Sequence, residues 1–155
     1  MATPKFLQVV RINEADPNTV LTANTANYPT PILTHTVPLG VERVLRNGIP
    51  FRMKLLKSDS TDIDKNSTIY IAYQRPEMRL PKDLFFFKYN VFYSLTLAQQ
   101  ADLKSYGAQL TIQAPYPRYV FTQQSKLILL LQSPDVIDPT KCNIEFTLDE
   151  YAVAV

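Results

Sequence analysis

The chain of 155 residues contains no tryptophan, three glycines, one cysteine and one histidine. Each shortage excludes something. A lone cysteine, Cys142, forms no intrachain disulfide, and small secreted domains ordinarily rely on cysteine pairs, so a reducing compartment is expected. One histidine and one cysteine do not make a structural zinc site, and no metal is expected. Glycine-rich phosphate loops of the GxGxxG or GxxxxGK kind are absent. No apolar run approaches the ~18 residues of a membrane span, so no membrane partner is expected. The opening residues, MATPKFLQVVRINEADPN, lack the apolar core of a signal peptide. The formal net charge of +2 is too small to mark nucleic acid as the main partner.

What is present is a β-protein. Hydrophobic residues make up 46% and charged residues 19%, enough for one domain with a real core. Proline is four times as common as glycine, 12 against 3, so turns fall to Pro, Asn, Asp and Ser. The stretch 84–97, LFFFKYNVFYSLTL, alternates at period two, with Phe87, Tyr89, Val91, Tyr93, Leu95 and Leu97 on one face. Strict alternation of aromatic and β-branched residues is the pattern of a half-buried strand, and it reads as the central one. Further strands are expected at 41–46, 51–55, 68–73, 108–113, 119–123, 125–132 and 143–155. The run SKLILLLQ at 125–132 is apolar on both faces, which implies burial from both sides or an oligomer contact. Asn47-Gly48 signals a hairpin. A change of parity near Asp149-Glu150 predicts a bulge or a change of partner. One helix is predicted, with Thr96 as N-cap, Gln99 completing a capping box and Gly107 just past its end.

The first 36 residues read differently. Lys5 to Asn13 is apolar on two faces, Phe6, Val10 and Ile12 with Gln8 on one, Leu7 and Val9 with Arg11 on the other. That fits an edge strand or an arm that pairs with another chain. Residues 14–38 follow no period and are rich in Thr, Asn and Pro, so an extended arm is expected over 1–36, ahead of a β-sandwich or jelly roll over 37–155.

Candidate chemistry is thin. His35 has no serine or cysteine beside it in sequence and reads as a surface or interface residue; a Cys142–His35 pair is set aside. Cys142 reads as a half-buried filler. Asp62-x-Asp64-x-Asn66 opens with calcium-loop spacing, but Ser67 and Tyr73 stand where glycine and glutamate belong. Asn66-Ser67-Thr68 is a glycosylation sequon with nothing else to indicate secretion. Glu145, Asp149 and Glu150 read as a solvent-facing row rather than a hydrolase pair. Tyr116, Arg118 and Tyr119 join aromatic faces to a charge between rigid prolines; such a loop stacks a sugar or a base, or forms a protein contact, and the protein contact is favoured. With Phe6, Leu7, Val9 and Val10 they make the candidate partner-binding set.

A one-domain β-rich chain behind a long Thr/Asn/Pro segment resembles viral, in the first place bacteriophage, capsid and capsid-decoration proteins of the jelly-roll type. The resemblance is architectural and spans 37–155 as domain and 1–36 as arm. It implies a non-enzymatic virion protein without cofactor, assembled in the host cytoplasm. It also implies a homo-oligomer, a trimer above all, that clamps capsid shell subunits through its arm and exposed strands as a decoration or minor capsid component. Genome-packaging coat proteins of this kind carry strongly basic arms. Here Lys5 and Arg11 are offset by Glu14 and Asp16, which argues against direct nucleic-acid contact and for the outside of the shell. The alternative is a carbohydrate-binding module using Tyr116 and Tyr119, or a receptor-binding domain.

Overall fold

The computed structural model describes residues 5–12, 16–46, 50–64, 66–75, 90–96, 109–111 and 118–153. These form strands β1 (Lys5–Ile12), β2 (Thr19–Leu21), β3 (Thr30–Thr36), β4 (Val41–Arg46), β5 (Pro50–Lys54), β6 (Thr68–Gln74), β7 (Asn90–Thr96), β8 (Gln109–Thr111), β9 (Arg118–Phe121), β10 (Lys126–Gln132) and β11 (Asn143–Ala152). Every pairing among them is antiparallel. One sheet runs β8-β5-β11-β4-β9, with β1 also on β11; the other runs β2-β3-β10-β6-β7. A single core joins the two sheets into a sandwich. It takes Ile12, Leu45, Met53, Phe121, Ile144, Phe146 and Leu148 from the first, and Leu33, Ile69, Ile71, Leu127, Leu129 and Leu131 from the second.

The second sheet is built around β10 rather than around residues 84–97. Of that stretch the described part is β7, which pairs with β6 at the end of the strand order. β10 earns the central place because it is apolar on both faces. Leu127, Leu129 and Leu131 enter the main core, while Ile128 and Leu130 are buried on the opposite face with Ala72 and the half-buried Tyr70. Opposite β10, β3 shifts register between Leu129 and Leu130, where Ile32 is the extra residue; the bulge lets Ile32 and Leu33 both enter the core.

Asn47-Gly48 lies outside the described residues, but its flanking strands are not a hairpin. Asp149 to Ala152 of β11 pairs with β4 and Asn143 to Glu145 with β5, both antiparallel. β4 and β5 therefore run in the same direction along one long strand. The tertiary pairing of both with β11 overrides the local turn preference. The helix expected from Thr96 to Gly107 lies outside the described residues beyond Thr96.

Residues 5–36, part of the stretch expected to be an arm, contribute β1, β2 and β3 to the sheets. The aperiodic loop between β2 and β3 is held by Asn24, which is buried: its Nδ2 donates to the Asp135 carbonyl at 3.0 Å and its Oδ1 accepts from the Ile137 amide at 2.9 Å. Turns rely on aspartate, as the glycine shortage demands. Asp16, Asp59, Asp64 and Asp138 each accept from the amide two residues on, at 2.7, 3.1, 2.7 and 3.1 Å.

Candidate functional site

Paired residues in an antiparallel sheet share a face, so the registers give the surface directly. Across the outer face of the first sheet, Val9 pairs with Asp149, Asp149 with Val44 and Val44 with Val120. Val9 is 54% exposed and Val120 38%, at the two ends of this row, while Val44 between them is buried. Phe6 pairs with Tyr151 one step along, ring centroids 5.6 Å apart and edge to face. Between Phe6 and Gln8 the register shifts, with Leu7 as the bulged residue. Of the two alternatives expected near Asp149-Glu150, β11 shows the change of partner, from β5 over Asn143 to Glu145 to β4 over Asp149 to Ala152. The bulge sits in the neighbouring strand, opposite Glu150 and Tyr151. It has a consequence for Phe6. By simple alternation Phe6 shares the inward face of Gln8, Val10 and Ile12; one extra residue turns it outward, where it is 51% exposed. With Leu7 at 45%, β1 presents three exposed large apolar side chains on a strand whose sole partner among the described residues is β11.

The inner face carries a different device. One transverse row of the first sheet is Gln8, Glu150, Arg43 and Phe121; one row of the second is Thr19, His35, Leu127 and Tyr73. The rows meet across the sandwich. Tyr73 packs on Phe121 with ring centroids 5.5 Å apart, and Arg43 Nη1 lies 2.7 Å from His35 Nε2. The polar half forms a continuous chain. Gln8 Nε2 donates to Glu150 Oε1 at 3.0 Å; Arg43 donates through Nε at 3.0 Å and Nη2 at 2.7 Å to Glu150 Oε2; His35 Nδ1 lies 2.9 Å from Thr19 Oγ1. His35 is fully buried, and Thr19, Arg43 and Glu150 are buried beside it.

Protonation follows from the donor inventory. A guanidinium has donors only, so His35 Nε2 is the unprotonated acceptor, and Nδ1–H donates to Thr19. The imidazole is therefore neutral. Burial, then the adjacent Arg43 charge, push its pKa down to about 4 against an opposing pull from Asp16. Burial pushes the Glu150 carboxyl up, but the hydrogen bonds from Gln8 and Arg43 and the charge of Arg43 outweigh it, and the net shift is downward. Among the described residues no buried side-chain nitrogen or oxygen lacks a partner, and no cluster of His, Cys, Asp or Glu is placed to hold a metal ion.

His35 is neither a surface nor an interface residue. Glu150 does not face solvent; it continues the inward parity of Ile144, Phe146 and Leu148, and Asp149 is buried on the opposite face between Val9 and Val44. Cys142 is buried rather than half-buried, its Sγ accepting from the Leu56 amide at 3.4 Å and donating to the Leu56 carbonyl at 3.7 Å, and burial raises its thiol pKa. Both members of the Cys142–His35 pair are thus engaged elsewhere. Of the candidate partner-binding set, Phe6, Leu7 and Val9 are exposed on β1, and Val10 is half-buried against the core. Tyr116 lies outside the described residues; Arg118 and Tyr119 place their backbones in β9, opposite Arg46 and Leu45, and their side chains are outside the description. Gln8, Thr19 and Arg43 were not singled out from sequence.

No curated protein sequence matches the chain. Among solved structures, VP17, a capsid protein of bacteriophage P23-77, aligns over 99% of this chain and 100% of its own, with a TM-score of 0.60 at 5% identity. The VP16-VP17 complex, formed by the two major capsid proteins of the same bacteriophage, aligns over 94% of this chain and 99% of the matched one, with a TM-score of 0.61 at 5% identity. At that identity the likeness is one of fold. The sequence model of the VP16-like major capsid proteins matches residues 31–147, most of the chain, from β3 into β11. The chain belongs to the VP16-like major capsid protein family and is a structural component of a virion.

Proposed function

We propose that the protein is a non-enzymatic capsid subunit of a bacteriophage. It joins other capsid proteins through β1 and the outer face of the first sheet, with Phe6, Leu7 and Val9 as contacts and Tyr116 and Arg118 extending the surface; Val10 and Tyr119, at register positions paired with the core residues Leu148 and Leu45, support that strand pairing from the inner side. The observation that carries this is the exposed apolar run of β1, Phe6, Leu7 and Val9, on a strand with a single described partner. Exposed apolar area of this kind on an edge strand invites coverage by another polypeptide. The family description as major capsid proteins favours a building block of the shell over a decoration. VP17, which shares the fold, occurs in a complex with VP16, which supports a second capsid protein as partner beside copies of this chain, a trimer being the favoured self-assembly.

The test is incorporation into particles. Tagged wild-type and Phe6→Ser/Val9→Lys subunits are supplied during infection, and their copies per purified particle are counted. Both positions are about half exposed, so the variant keeps its far-UV spectrum and folds, its unfolding midpoint lowered only by the lost Phe6–Tyr151 contact. Wild type is expected at shell-protein abundance, with the variant at least tenfold lower. Equal incorporation of a folded variant refutes the proposed surface; wild type at only a few copies per particle refutes the building-block role.

A further inference from the structure

We propose that the buried chain Thr19–His35–Arg43–Glu150 is an acid-sensitive latch between the two sheets, closed while the His35 ring is neutral and opened when it takes up a proton.

Thr19 and His35 belong to one sheet; Arg43, Glu150 and Gln8 to the other. Among the described residues, the hydrogen bond that joins the two groups is Arg43 Nη1–H to His35 Nε2, at 2.7 Å. It exists because Nε2 has a free lone pair. A proton there sets donor against donor at that distance and places two cations side by side in the core. The ring has no alternative arrangement. Flipping it turns a ring carbon toward Arg43 and loses the acceptor, and moving the neutral proton to Nε2 points a donor at Arg43. Arg43 is itself fixed by two bonds to Glu150 Oε2.

The charged groups acting on the ring are Arg43 on β4, which opposes its protonation, and Asp16 before β2, which favours it; Glu150 on β11 stands behind Arg43. The neighbours of His35 on the flanking strands, Thr19 on β2 and Leu127 on β10, carry no charge. The ring is held neutral down to about pH 4 in the folded protein, against an ordinary value of 6.5. The unfolded chain therefore binds the proton first, and stability is full above about 6.5 and falls as pH drops toward 4. β2 depends most on the latch. It is three residues long and, among the described residues, has only β3 beside it, so the Thr19–His35 bond reinforces a short ladder.

Two measurements on the full chain test this. His35 is the only histidine, so ring NMR reports it without assignment. The expected result is a neutral Nδ1–H tautomer with no titration near 6.5. A ring that titrates near 6.5 while the fold stays intact overturns the proposal. The second measurement compares wild type with His35→Gln, whose amide offers an acceptor to Arg43 and a donor to Thr19 at every pH. From pH 7.5 to 4.5 the folding equilibrium of wild type should fall about 100-fold more than that of the variant. Equal falls in the two proteins overturn the proposal. If the variant does not fold, amide exchange of wild-type Thr19 and Val20 decides: selective deprotection at pH 4.5 supports the latch, and uniform protection refutes it.

Discussion

Arg43 donates to both Glu150 Oε2 and His35 Nε2, at 2.7 Å in each case, and so holds a carboxylate on its own sheet and an imidazole on the opposite one. Its removal leaves two buried acceptors unmet, one of them charged. Arg43→Met should therefore destabilise by about 3–5 kcal/mol, the range for breaking a buried charged pair. Glu150→Gln keeps an oxygen for Arg43 and should lose only about 2 kcal/mol. Urea unfolding at pH 7 gives the order; a milder Arg43→Met would show that the imidazole link contributes nothing.

The Glu150 pair also carries a pH signature separate from that of His35. Its carboxyl is pushed up by burial and pulled down further by Gln8 and Arg43, for a net lowering. The unfolded chain then takes up this proton first as pH falls. The stabilisation is full above the ordinary carboxylate range and is lost as pH drops through the lowered value. The gap in unfolding free energy between wild type and Glu150→Gln should accordingly narrow from pH 7 to pH 3. A constant gap would mean that the carboxylate charge is not what the site stabilises.

The latch and the outer surface were legible to different degrees. The β-class and the double-faced character of SKLILLLQ follow from period-two patterning, because burial acts on each strand face separately. The polar chain was also present as a pattern. Gln8 shares the parity of Val10 and Ile12, Arg43 that of Val41 and Leu45, and Glu150 that of Ile144, Phe146 and Leu148. Polar residues on inward rows signal a buried network, but only the pairing of strands far apart in sequence shows that these rows meet. Phe6 was misplaced for a complementary reason. Alternation assumes an unbroken strand, and the bulge at Leu7 reverses Lys5 and Phe6 before it. The Asn47-Gly48 signal failed because both flanking strands find a better partner in β11.

The two faces of β10 lend themselves to a direct comparison. Leu129 points into the main core and Leu130 into the smaller cluster with Ile128 and Ala72, and both are fully buried. Leu129→Ala and Leu130→Ala should each cost about 2–5 kcal/mol. A Leu130→Ala variant as stable as wild type would show that the outer face of the second sheet is open in solution.

Asn24 makes two hydrogen bonds to the backbone of a loop more than 100 residues away, to the Asp135 carbonyl and from the Ile137 amide. Alanine leaves that buried amide without its acceptor, at a cost of about 1–3 kcal/mol. Amide exchange at Ile137 should accelerate in Asn24→Ala well beyond the change at Leu129, which lies in the sheet centre. Equal acceleration at both would indicate a global loss of stability and no special role for the clamp.

The glycine shortage leaves a stability reserve at identifiable positions. Asn27, Ser60 and Gln124 adopt φ of 62°, 67° and 67°, and Gly40 adopts 90°. Left-handed backbone costs a side-chain-bearing residue roughly 1–2 kcal/mol, least for asparagine. Gln124 is exposed, and its structural contribution is through its amide, which donates to the Val37 carbonyl at 2.8 Å. Glycine keeps that bond and removes the strain, though it adds freedom to the unfolded chain. Gln124→Gly should therefore gain about 0.5–1 kcal/mol, a few degrees at most in melting temperature. Gly40→Ala tests the converse: no atom lies within 4 Å of an added Cβ, so any loss comes from the backbone angle alone. A loss of about 1 kcal/mol is expected. If Gly40→Ala is neutral while Gln124→Gly is also neutral, positive φ carries no cost in this chain, and its turns tolerate few glycines for another reason.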